Sequence, residues 1–195
     1  MRKALMIVLG VVFTLPIVGF IAFKATETRH LKGFLPPDYG HVDLAGKTTL
    51  VAGFGPGGHD AVLAFFRLSE DVASLVSLEG EAWLQEAENS VELPRSVQAG
   101  EWVSTPLTGE VYGWANVSNC ASEVSDWWIA SHTGHSCPGI AAYLRGYGFL
   151  DKLEVSKTNL VDDVLQGEGA FVSRRRVGYL IVAPDRNLVI FAHAG

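Results

Sequence analysis

Cysteine is scarce in this chain: Cys120 and Cys137 are the only two in 195 residues. That is too few for a zinc ribbon or any other site built from repeated Cys pairs. Basic residues are also in deficit. Arg2 and Lys3 are the only charged residues before Lys24, and from Lys24 onward 13 Lys and Arg face 21 Asp and Glu, a formal charge of −8. An acidic domain of this kind repels nucleic-acid phosphates, which excludes nucleic acid as a partner. The one basic run, Arg174–Arg176, reads as a solvated edge beside a strand. No G-x-S-x-G elbow occurs, and Asp126, Ser131 and His132 lie too close in sequence to imply a catalytic triad. No repeat or low-complexity tract is present either.

What the chain does have is a long uncharged block. Residues 4–23 (ALMIVLGVVFTLPIVGFIAF) form twenty consecutive uncharged, mostly apolar positions behind Arg2 and Lys3. A helix of about 20 apolar residues matches the hydrocarbon thickness of a bilayer. A cleaved secretory signal has an apolar core of about 7–15 residues and a small-x-small cleavage site, and neither fits well here. Residues 1–23 are therefore expected to be an uncleaved signal-anchor, with a cleaved signal as the alternative. The short N-terminal tail and the cysteine pair place the rest of the chain outside the cytoplasm, in a periplasm-like compartment.

Beyond the block, residues 24–46 carry Pro36, Pro37 and three glycines, the composition of a stalk or linker. Residues 47–195 are expected to form one α+β domain of antiparallel hairpins and a few short helices. Its predicted strands are 48–52, 61–68, 177–183 and 188–192, with further short strands and loops over 91–112, which holds Trp102, Val103, Val111 and Tyr112 among Pro94, Gly100, Pro106 and Gly109. Strands 177–183 and 188–192 form a hairpin around Pro184-Asp185-Arg186-Asn187. Helices are expected from Ser69, as N-cap, to a stop at Gly80, then over 81–89, 122–130 and from Pro138 to Leu150.

Gly53, Gly55 and Gly58 match the spacing of the dinucleotide-binding fingerprint, with Glu79 at the distance of a ribose-binding acid. The context denies it: if a helix starts at Ser69, residues 61–68 are a strand, and no helix N-terminus meets the glycines. The loop is expected to be a turn between strands. His59-Asp60 and the pair Asp162-Asp163 are the remaining polar candidates. Each reads as surface before it reads as catalysis. No nucleotide or other cofactor is expected.

The stretch 118–140 concentrates Cys120, His132, His135 and Cys137. In an exported domain a lone pair of cysteines most simply forms a disulfide, here closing a loop around 122–130. The alternative is a metal site, since two thiolates and two imidazoles are donors that zinc and copper favour. Gly134-His135-Ser136-Cys137-Pro138-Gly139 resembles the G-H-x-C-P-G signature of a formylmethanofuran dehydrogenase subunit family, and Val161-Asp162-Asp163 is loosely similar to a later segment of it. That resemblance, confined to a short part of the chain, implies His135 and Cys137 as metal-site residues. Two function classes follow. One is a membrane-tethered, non-catalytic module that binds an envelope or membrane protein in an accessory role. The other is a metal-binding or metal-dependent protein using the Cys120, His132, His135 and Cys137 cluster.

Overall fold

The structure is a computed structural model, and it describes residues 2–39, 42–52, 59–89, 99–107, 139–144, 154–176 and 178–194. Its contacts divide the chain into two units, Met1–Leu35 and Pro36–Gly195. The first unit is one helix, α1 (Arg2–Lys32), which passes through Pro16. It continues nine residues beyond the apolar block, so the segment expected as a stalk begins as helix. Among the described residues, no helix is long and apolar enough to cross a membrane. The side chains of residues 2–15, which include the first twelve positions of the apolar block, lie outside that description.

The second unit is α+β. Six strands form one sheet in the order β1-β2-β6-β5-β4-β3: β1 (Asp43–Ala52), β2 (His59–Arg67), β3 (Ala99–Ser104), β4 (Phe171–Arg175), β5 (Tyr179–Ala183) and β6 (Leu188–Ala194). Every neighbouring pair is antiparallel. β1 and β2 meet from Asp43↔Arg67 to Ala52↔His59, so the Gly-rich segment 53–58 joins two antiparallel strands rather than a strand and a helix. The dinucleotide geometry is therefore absent on both flanks, although the loop lies outside the described residues. The C-terminal hairpin forms as expected around a short 3-10 turn, Pro184–Arg186, with Asn187 left-handed at φ 50°. Asn tolerates that conformation better than other non-glycine residues do.

Strand alternation sends side chains to both faces, and both are apolar because both are covered. On one face Ala61, Leu63, Phe65, Val172, Ile181 and Ile190 pack with residues of α4 (Gly139–Leu144) and α5 (Val155–Gln166). On the other, Phe66, Leu180 and Phe191 are fully buried. This second face carries Phe171, whose ring lies beneath Gly80 at the junction of α2 (Glu70–Glu79) and α3 (Glu81–Asn89). Burying a Phe or Leu side chain stabilises by roughly 1.5–3 kcal/mol, so this two-sided core dominates the fold.

Local signals set the helix ends. Ser69 caps α2 by accepting from the Val72 N–H at 3.4 Å, and Glu70 and Asp71 occupy the first turn, where the helix dipole favours acids. Gly80 stops the helix at φ 61°, a conformation that only glycine takes without strain. α3 then runs over the expected range.

Candidate functional site

The four residues singled out in sequence, Cys120, His132, His135 and Cys137, all lie outside the described residues, as does the helix expected over 122–130. Among the described residues no group of three or more His, Cys, Asp or Glu side chains converges on a common point. The described chain resumes two residues after Cys137, at Gly139, and there it meets an unexpected partner. The Ile140 N–H donates to Asp162 Oδ1 at 2.7 Å, in a buried hydrogen bond across 22 residues. Asp162 is 3% exposed, so the expectation of a solvated Asp162-Asp163 pair is half wrong: Asp163 is exposed and Asp162 is not. The cause is helical phase. Val161, Asp162 and Leu165 share the inward side of α5, and Ile140 and Leu144 anchor α4 against it.

Gly139 is required here. Its φ is 51°, and a Cβ at this position would lie 2.4 Å from Asp162 Oδ2. Only a residue without a side chain lets the backbone approach the carboxylate so closely. Each Cα is about 3.8 Å from the next, so Cys137 lies within roughly 8 Å of Gly139 along the chain. Residues 134–138 lie outside the described residues, so only the contact of Gly139 and Ile140 with Asp162 is described.

A second polar cluster was not anticipated from sequence. Arg175, on β4, is 4% exposed, and Arg174 and Arg176 on either side of it are exposed. The basic run is therefore not a uniformly solvated edge; strand alternation turns its middle residue inward. Arg175 Nη2 donates to Glu88 Oε1 of α3, and both side chains are almost fully enclosed. The guanidinium also lies over the Trp102 ring, 5.4 Å from its centroid. Tyr39, fully buried in the 3-10 turn Pro37–Tyr39, stacks on Trp83 with centroids 5.9 Å apart.

Burial pushes the Glu88 carboxyl above its ordinary range, and the Arg175 charge and hydrogen bond pull it back only in part. The Trp102 indole also favours the carboxylate, although its N–H falls outside hydrogen-bonding geometry. Burial, and then the Glu88 charge, hold the Tyr39 phenol well above its usual value, so it stays neutral. Among the described residues, Tyr39 Oη and Glu88 Oε2 find no hydrogen-bond partner. A buried ion pair with unsatisfied oxygens costs desolvation that its attraction does not fully offset. Its physical role here is to tie α3 to the β3–β4 end of the sheet, while the Tyr39–Trp83 stack holds the 3-10 turn to α3.

The outer side of α2 is different in kind. Leu78 is 82% exposed and Leu75 39%. An open trough of about 580 Å³ runs between α2 and the β5–β6 turn. Glu79, the acid at the dinucleotide spacing, is exposed at the end of this helix, and the glycine loop 53–58 lies outside the described residues. No protein family, curated protein or solved structure matches the chain.

Proposed function

We propose that this chain is a single-pass membrane protein in which α1 anchors an acidic α+β domain outside the cytoplasm, and that the domain serves as a non-catalytic binding or accessory module for another membrane or envelope protein. The observation that carries the anchor is the surface of α1. Ile17, Val18, Phe20, Ile21 and Phe23 are 59–63% exposed. At 100° per residue these five positions spread over about 220° of the helix, and the uncharged Gly19 and Ala22 occupy the remaining side; a helix apolar on all sides belongs in a membrane or a large core. Leaving five such side chains in water forgoes on the order of 10 kcal/mol of burial. Lipid removes that cost. Lys24, over the Phe20 ring at 5.5 Å, supplies the polar boundary at which such a helix emerges.

The test is extraction and topology. The mature chain should resist alkaline carbonate, require detergent, and retain residues 1–23 by peptide mapping. A reporter fused after Gly195 should be active only outside the cytoplasm. Release by carbonate, or a mature N-terminus near Ala25, would overturn the anchor.

A second reading rests on the donor chemistry of the 118–140 stretch, whose two thiolates and two imidazoles are ligands that zinc and copper favour. In this reading Cys120, His132, His135 and Cys137 hold zinc or copper. Metal analysis of the purified chain, with thiols counted before and after reduction, separates the two. A stoichiometric metal with reduced cysteines favours the second reading, and a disulfide with no metal favours the first.

A further inference from the structure

We infer that the trough along α2 is the docking surface of this module and that its occupant is a basic amphipathic helix of a partner protein. The inference rests on the binding-module reading and names the surface it uses. Residues 70, 73, 74, 77 and 78 line one side of the trough, which is the i, i+3, i+4, i+7, i+8 stripe of a single helix face. Ala73, Ser74 and Ser77 keep the middle of that stripe low. The Ser74 hydroxyl turns back to donate to the Glu70 carbonyl at 2.8 Å, so it offers the trough little polarity. Leu78 stands at one end as an exposed apolar contact, and Pro184 and Asn187 form the opposite wall. From residue 70 to residue 78 the stripe is about 12 Å long, which accommodates roughly two turns of a second helix.

Charge selects the occupant. The segment 69–89 contains six acids and no Lys or Arg. Glu70, Asp71, Glu79, Glu81 and Glu86 are all exposed, while Glu88 is turned inward to Arg175. Arg67, just before α2, and Arg186, in the neighbouring turn, are exposed cations. They leave a clear acidic excess. An apolar contact lined by Glu70, with Asp71 next to it and further acids on the same helical hairpin, complements a segment with an apolar stripe flanked by Lys and Arg, and repels acidic segments.

The experiment uses the full chain in its native membrane. A photo-crosslinking benzoylphenylalanine at Ser77, in the trough, is compared with one at exposed Ser156 on α5. Adducts are sequenced by mass spectrometry. The expected result is a Ser77 adduct whose partner peptide has helical periodicity and a net positive charge. Its yield should fall several-fold in the Glu70→Lys, Asp71→Lys variant. If that variant melts earlier than the parent, the corresponding double Gln variant replaces it and should show a smaller drop in the same direction. A partner peptide without basic excess, an adduct to a second copy of this chain, or a yield indifferent to the charge changes would overturn the inference. Adducts from Ser156 but not from Ser77 would overturn this surface and keep the binding-module reading. Adducts from neither would overturn both.

Discussion

The buried pair between Glu88 and Arg175 gives the sharpest test of how this domain is held together. Replacing Arg175 with Met preserves most of the side-chain volume but strands the Glu88 carboxylate, which is 6% exposed. Removing one partner of a buried ion pair typically costs about 3–5 kcal/mol, and loss of the cation over Trp102 adds to it. Replacing both, as Glu88→Leu with Arg175→Met, removes the desolvation cost as well and should leave stability within about 1 kcal/mol of the parent, or raise it. The sign of the pH dependence is fixed by Glu88. Its folded pKa lies above the ordinary 4.5, so its contribution to stability is complete below the ordinary value and is lost as pH rises through the folded value. Without Arg175 the folded value rises further. The Arg175→Met penalty should therefore be largest near pH 7 and shrink on acidification, by at most about 1.4 kcal/mol per pH unit. Urea melts in mild detergent at several pH values measure all of this. A penalty that does not change between about pH 5 and pH 8, or a double variant as unstable as the two singles summed, would refute the reasoning.

Three further outcomes follow from other parts of the fold. Gly139→Ala should destabilise by more than the usual glycine-to-alanine change, because the new methyl meets the Asp162 carboxylate as well as an unfavourable φ; a melt indistinguishable from the parent would mean that α4 can shift at no cost. Phe191→Ala, in the centre of β6 at 1% exposure, should cost about 3–5 kcal/mol in the same urea melts, against a few tenths for Leu78→Ala on the exposed side of α2. If Cys120 and Cys137 are bridged, the intact mass should rise by about two hydrogens on reduction, and the Cys-to-Ala double variant should lose about 3 kcal/mol without releasing metal.

The elements that could be read in advance share one physical property: their signals are local. Ser69 with its two following acids, Gly80, and the 184–187 turn are each specified within four residues, and α2, α3 and the β5–β6 hairpin fall where those signals put them. The segment 24–46 shows the limit of composition. Its prolines and glycines begin only at Gly33, so nothing local stops α1 before Lys32, and the helix runs on.

The sequence by itself determined the uncharged block, the acidic balance, the periodicity of each short element and the mixed class of the domain, because these depend on neighbours a few positions apart. Only the tertiary structure decided which face of an element is inside. Arg175 and Asp162 each sit in a polar run that looks solvated when read along the chain. The β4 register against β5 turns Arg175 toward α3, and the packing of α5 beneath the sheet turns Asp162 toward Ile140. The partner of each is distant in sequence: Glu88 is 87 positions from Arg175, and Ile140 is 22 from Asp162. A buried charge is tolerable only where a partner waits for it, and the chain brings such partners together only once the sheet and its two helical layers have closed.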